Sequence, residues 1–315
     1  MTSPARKTSD LPLAIWPCAQ RTSQWQRNGR YLPESNRHPG KMLPELARRA
    51  IESYSDPGDL IVDPMCGIGT TIAEAVRLDR DAIGVELEAR WGDLAAANVA
   101  HARSEGAPGH ARVLTGDARD LPRLLTSKAA RSLREPAGSD VARLPYATAD
   151  LVLTSPPYGC EVGDIDKSAW HTGRHICPDD SRNYSRDKDN IGHARGRGYT
   201  DAMLDIYRAC AAITKPGGFV VVVTKNTRTR GVLRNLAGET IALCQQVGLD
   251  YWQHVVALLA TVRGDELIPR PSFWQILQTR KAIARGERPQ LVCHEDVLVF
   301  RRPLSKPRAT AQAPR

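Results

Sequence analysis

The stretch IVDPMCGIGTT, residues 61–71, sets the frame for the whole chain. An apolar, β-branched run closes on Asp63, glycines follow at 67 and 69, and TTIAEAVRL (70–78) continues at helical spacing. Strand, glycine turn, helix is how an open α/β sheet builds a ligand crevice at the carboxyl end of a strand. Glycine at 67 and 69 lets the backbone approach a ligand closely. No GK[ST] follows, which excludes a phosphate-cradling P-loop, and the GxGxxG spacing of a dinucleotide site is also missing.

Moving outward, the same alternation repeats. KMLPELARRAIESY (41–54) is helical upstream of the turn DPGD and the strand LIVD (60–63). Downstream, strands are expected at DAIGVEL (81–87), RVLTGD (112–117), DLVLTS (150–155), FVVVVTK (219–225), 254–262 and DVLVFRR (296–302). Helices are expected between them at 70–78, 88–105, 199–213 and 236–247, with a helical patch in the basic connection 121–147 and TKPGG as a turn. About seven strands alternating with helices predict an α/β fold with a doubly wound, mostly parallel seven-stranded sheet. A short polar insert, not a crossover helix, precedes the last strand, so that strand is expected antiparallel.

Domain organisation follows from the same pattern. Residues 1–37 read as an N-terminal extension, 38–302 as the main domain and 303–315 as a basic, disordered tail. Residues 159–198 lack any period and are too long for an ordinary connection; with 263–292 they read as insertions that meet a substrate.

Across the 315 residues the net charge is +9 and the isoelectric point near 9.3, which suits a polyanionic partner and equally a merely basic enzyme. No apolar stretch suits a membrane span or a secretion signal. The seven cysteines include no CxxC pair, which argues against a disulfide framework or a zinc ribbon and for a reduced, cytoplasmic protein. His171, His175, Cys177 and His193 match no standard metal spacing, and no metal is expected.

Three acids end three successive strands: Asp63, Glu86 and Asp117. Beside the glycine loop, a carboxylate at 63 repels pyrophosphate but attracts a cationic amino-acid moiety. One at 86 accepts hydrogen bonds from both hydroxyls of a ribose. One at 117 accepts from an adenine amino group. An adenosine with a positively charged tail, S-adenosylmethionine, satisfies all three.

TSPPYG (154–159) leaves the fourth strand. Pro156 and Pro157 fix φ and lack N–H groups, so the corner is stiff and presents carbonyls. Ser155 and the Pro156 carbonyl can accept hydrogen bonds from an exocyclic amine, and Tyr158 offers a face on which a base stacks. A base amine is a poor nucleophile because its lone pair is delocalised. Acceptors around it favour a pyramidal nitrogen able to attack a sulfonium methyl, so catalysis would be mainly positioning. Duplex substrate then implies base flipping. PPYGC lacks the Pro-Cys loop of ring-carbon methylation, which excludes that chemistry.

On these residues the chain resembles the S-adenosylmethionine-dependent DNA cytosine-N4/adenine-N6 methyltransferases, a Rossmann-like class I methyltransferase group. HPGKMLPELARRAI (38–51) is similar to the family's cofactor-contacting segment, DPMCGIGTT to its glycine loop and TSPPYG to its catalytic motif; KPGGFVVVV and HEDVLVFRR are similar to its later strands. The resemblance covers most of 38–302. It implies cofactor contacts by His38, Lys41, Pro64, Cys66, Gly67, Gly69, Thr70, Thr71 and Ala118 alongside the three acids. It implies catalysis by Ser155, Pro156, Pro157 and Tyr158, with DNA as partner. Serine in the first catalytic position is typical of cytosine-N4 members. Adenine N6 of DNA and a base amine of RNA, such as guanine N2, remain alternatives, as does a nucleic-acid-binding protein without catalysis. Lys225, Arg228, Arg280, Lys281 and Arg285 are candidate nucleic-acid contacts, the last three on an insert that also carries Phe273 and Trp274; an exposed amphipathic helix is an equal reading of that insert.

Overall fold

The computed structural model describes residues 11–38, 40–126, 149–158, 190–194, 196–229 and 232–304. Strands run at Ile15–Pro17 (β1), Leu60–Asp63 (β2), Asp81–Glu86 (β3), Ala111–Thr115 (β4), Ala149–Thr154 (β5) and Thr214–Thr224 (β6). They continue at Thr227–Thr229 (β7), Val232–Arg234 (β8), Asp250–Leu258 (β9), Ala260–Arg263 (β10), Glu266–Pro269 (β11) and His294–Arg301 (β12). Helices are Ser23–Arg27 (α1), Pro44–Tyr54 (α2), Thr70–Arg77 (α3), Ala89–Ser104 (α4), Leu121–Leu125 (α5), Gly196–Ile213 (α6), Leu236–Gln246 (α7) and Phe273–Ala284 (α8).

Eight strands form the main sheet in the order β1-β9-β12-β6-β5-β2-β3-β4. All neighbours are parallel except β12, which runs antiparallel to both β6 and β9. The doubly wound sheet with its antiparallel strand is therefore present as expected, with β1 added at the edge. The chain winds from β2 outward through β3 to β4, then returns to place β5 on the other side of β2. That reversal opens a crevice beyond the ends of β2 and β5, where Asp63 and Ser155 emerge.

The central strands are apolar without interruption because both faces are covered. Alternate residues go to opposite layers: Val62, Val152, Val220 and Val222 pack with Met203, Ile206 and Tyr207 of α6. Ile61, Leu151, Val221 and Val223 pack with Leu46 and Ile51 of α2 and Ile72 of α3. Each of these side chains, withdrawn from water, contributes about 1.5–3 kcal/mol before entropy is counted.

Residues 15–37, set apart in the sequence reading, join this body. Ile15 pairs with Val256 on β9. The Tyr31 hydroxyl donates to Glu74 Oε1 at 2.6 Å and Arg30 Nε to the same oxygen at 2.9 Å, fastening the segment to α3. Asn98 on α4 receives the Leu32 N–H at 2.9 Å and donates to the Ile68 carbonyl at 2.9 Å, so the segment also braces the glycine loop.

Two boundaries differ from expectation. TKPGG lies inside β6, which absorbs it with a register shift against β5 and Gly217 at φ +81°. The strand expected at 254–262 divides: Ala260–Arg263 leaves the sheet to form a hairpin with β11, Val262 opposite Leu267. Most of the 121–147 connection, most of 159–198 and nearly all of the tail lie outside the described residues. Among the described residues no helix is long and apolar enough to cross a membrane.

Candidate active site

The glycine loop is built by its own backbone. Cys66 N–H donates to the Val85 carbonyl at 2.9 Å and Gly69 N–H to the Cys66 carbonyl at 2.7 Å, tying the loop to β3. Gly67 and Gly69 have φ of +52° and +77°, a region that costs other residues about 1–2 kcal/mol. A Cβ on Gly69 would stand 2.9 Å from the Ala95 Cβ, so glycine there lets α3 start hard against α4. A side chain on Gly84 would meet the Cys66 sulfur at 2.8 Å. Cys66 is buried and burial raises its thiol well above the usual range, which makes it a packing residue and not a nucleophile.

Glu86 reaches back to this loop. Its carboxylate accepts the Gly67 N–H at 2.7 Å and the Glu88 N–H at 3.0 Å, while burial raises its pKa. Asp63 is 3% exposed, and burial pushes its carboxyl up to about 6. The Met65 N–H, at 3.2 Å, opposes that rise. The Thr71 and Thr154 hydroxyls lie close enough to favour the ionised form, although neither makes a hydrogen bond of normal geometry. Asp117 caps the short turn Ala118–Asp120; burial works to raise its carboxyl, and the hydrogen bonds from Arg119 outweigh it and hold it low. His38 lies edge-on to Trp91 at 4.7 Å and accepts the Gly40 N–H at 3.3 Å. Burial, then the Lys41 charge, lowers its imidazole to about 4, so it is neutral at pH 7. Lys41 donates to the His38 and Asn36 carbonyls, and burial lowers its ammonium to about 8.

Ser155–Tyr158 follows β5. The Tyr199 hydroxyl donates to the Pro157 carbonyl at 2.9 Å, and Arg234 donates to the Tyr158 carbonyl at 2.9 Å. Arg234 is itself held by Glu239 at 2.9 Å and lies 4.8 Å over the Tyr199 ring. Among the described residues, no hydrogen bond engages the Ser155 hydroxyl or the Pro156 carbonyl. The Lys225 ammonium sits 5.8 Å from the Tyr158 ring centroid and 3.5 Å from Glu295 Oε1.

One cavity of about 700 Å³ joins these groups. Every residue proposed from sequence for the cofactor, the catalytic corner or the nucleic acid borders it, apart from Gly69 and Arg280. Gly69 lies behind the loop, against Ala95. Arg280 is exposed on another side of α8 from Lys281 and Arg285, because successive helical residues point roughly 100° apart. Lys225, a candidate nucleic-acid contact, has a side chain only 14% exposed and is paired with Glu295. Arg285 is paired with Glu287 at 2.8 Å. His171, His175 and Cys177 lie outside the described residues.

Sequence reasoning missed Trp91, Tyr199, Arg234 and Glu295. Glu295 meets Lys225 one step beyond the β12–β6 pair Asp296 and Thr224, a neighbour relation that exists only once strand order is known. Tyr199 had a weak signal, as an aromatic opening the expected helix; Arg234 had none.

The donor end fits an adenosine with a cationic tail. It holds a buried carboxylate, Asp63, and a partly buried one, Glu86, both with raised pKa values, and buried Glu88 Oε1 and Trp91 Nε1 have no hydrogen-bond partner among the described residues. Gly67 leaves a cradle that a side chain would fill, its Cβ 3.3 Å from His38 Nε2.

A family model described as DNA methylase, of the N6/N4 type, matches residues 2–97. The chain resembles the DNA amino-methyltransferases. That match takes in the cofactor segment, the glycine loop and Glu86, and stops before the Ser155 corner. The family uses S-adenosylmethionine. The type II methyltransferase M.MjaI of Methanocaldococcus jannaschii is 38% identical over 56 residues, 18% of this chain and 18% of that protein. The type II methyltransferase M.BglII of Bacillus subtilis is 34% identical over 70 residues, 22% of this chain and 19% of that protein. The matches thus span less than a fifth of each curated relative's length. Among solved structures, TrmN from Thermus thermophilus is 17% identical, with a TM-score of 0.47, covering 88% of this chain and 53% of that one.

Proposed function

We propose that the protein transfers a methyl group from S-adenosylmethionine to the exocyclic N4 amine of cytosine in DNA, with the base swung out of its stack. The observation that carries the reading is the opening of the Ser155–Tyr158 corner onto the same cavity as Asp63 and Glu86. When bound, S-adenosylmethionine supplies an electrophilic sulfonium methyl. Glu86 would take the ribose hydroxyls, Asp63 the ammonium of the amino-acid tail, and the Ala118 turn the adenine edge.

The chain's own contribution is positioning. Ser155 and the Pro156 carbonyl accept the two amine hydrogens, which turns the nitrogen lone pair out of the ring plane and toward the donor end. Tyr158 stacks on the base, worth about 1–3 kcal/mol, and its backbone is held by Arg234 while Tyr199 holds Pro157. Neutral Ser155 is a weak base, so the amine proton leaves to water after transfer, when the nitrogen is cationic and acidic.

Tritiated S-adenosylmethionine with duplex DNA and, in parallel, with RNA, followed by digestion and mass spectrometry of nucleosides, tests this. N4-methylcytosine is expected. N6-methyladenine would move the assignment to the other branch, and label only in RNA would overturn the DNA reading.

A further inference from the structure

The cavity has a second wall that the donor site and the Ser155 corner do not use. Gln275, Gln278, Lys281 and Arg285 all border it from α8 and the residue after it. At roughly 100° per residue these four positions fall on one broad face of the helix, with Arg280 outside it. Ala282, on that same face, is 1% exposed, so the helix is seated and not projecting freely into solvent. The Ser272 hydroxyl caps its first turn by accepting the Gln275 N–H at 3.4 Å. Just before that cap, Arg270 donates from its backbone N–H to the Leu259 carbonyl at 2.7 Å and from its side chain to the Thr261 hydroxyl at 2.5 Å. The segment leading into the helix is therefore fastened to the β10–β11 hairpin.

We infer that this face of α8 reads the nucleotides flanking the methylated base. The inference rests on the DNA reading above and adds to it the element that selects sequence. A glutamine amide carries a donor and an acceptor side by side, the pattern that pairs with a base edge, adenine above all. Two amides one turn apart suit adjacent base positions. Lys281 and Arg285, further along the same face, suit phosphates, which fix register without selecting sequence. The donor end is lined by carboxylates and repels phosphate, so the polyanion is left to the α8 side of the cavity.

The test uses the full chain and a duplex library of random sequence, with methylated positions mapped by single-molecule sequencing and cofactor affinity measured by calorimetry. Gln275→Ala and Gln278→Ala are expected to keep cofactor affinity and lose about tenfold or more of the discrimination at one flanking position each. Gln278→Glu, which leaves only acceptors and cannot donate to adenine N7, should shift preference at its position toward cytosine, whose N4 amino group donates. Lys281→Ala should weaken DNA binding evenly across sequences and lower the salt slope by about one. Arg280→Ala, on another side of the helix, should change neither. Glutamine variants with the parent preference, or a parent enzyme that methylates DNA without preference, would overturn the assignment of α8. A parent that labels no DNA would instead overturn the functional reading beneath it.

Discussion

The two halves of the cavity are built by opposite means. The donor half is made of strand ends and a glycine loop whose backbone is knitted to β3, with Glu86 accepting two backbone N–H groups and Asp63 almost wholly buried. The acceptor half is assembled from parts distant in the chain: the corner after β5, the end of β6, the start of β12 and helix α8. It is basic and amide-bearing, and its cohesion comes from side chains such as Arg234 and the Lys225–Glu295 pair. A compact electronegative pocket suits one small cation. A wall of long polar side chains suits a variable polymer.

If that contrast is right, substitutions in the two halves should separate turnover from cofactor affinity. The largest effect is expected at the corner. Ser155→Ala removes one preorganised acceptor and should lower kcat about 10²–10³-fold with cofactor affinity unchanged. Tyr158→Ala should act in the same direction, and unchanged turnover in both would defeat the assigned roles. Next, Glu86→Gln trades a charged acceptor for a neutral one and should weaken cofactor binding by about 10–100-fold in calorimetry. An unchanged affinity there would count against the ribose assignment.

A smaller effect is expected from Gly69→Ala. The left-handed φ of +77° and the approach to Ala95 make the substitution strained, with about 1–2 kcal/mol lost from φ alone, read by urea unfolding. Parent-like stability would mean the loop relaxes more easily than its packing suggests.

Smallest, and specific to the donor half, is a proton linkage. Burial raises the Asp63 carboxyl from 3.8 to about 6, so in the ligand-free protein this group disfavours the folded state increasingly between pH about 4 and 6. A cationic ligand tail favours the ionised carboxylate. Cofactor binding should therefore strengthen as pH rises through about 6 and release a proton there, seen as a buffer-dependent heat. Asp63→Asn should abolish that release; its persistence would place the proton elsewhere.

The same contrast explains what could be read in advance. Asp63, Gly67 and Glu86 lie where the hydrophobic period changes from strand to turn, a local signal, and the alternation of elements carried the doubly wound sheet with it. The Ser155 corner was legible because two prolines after a strand are chemically unusual. The ion pair of Lys225 could not be read in advance, because its partner Glu295 is remote in sequence and arrives only through the antiparallel β12. Arg280 was grouped with Lys281 by charge alone, whereas the helical period puts them on different sides. The eighth strand, Ile15–Pro17, is too short to leave a period of its own and forms by adding to an existing edge.

The central claim is that donor and acceptor sites meet at one rim. A crystal soaked with sinefungin, which carries an amine in place of the transferable methyl, tests it most directly. The ribose of the analogue should lie on Glu86 and its amine should face the Ser155 hydroxyl. A ligand bound with that amine turned away from Ser155, or held outside this cavity, would contradict it.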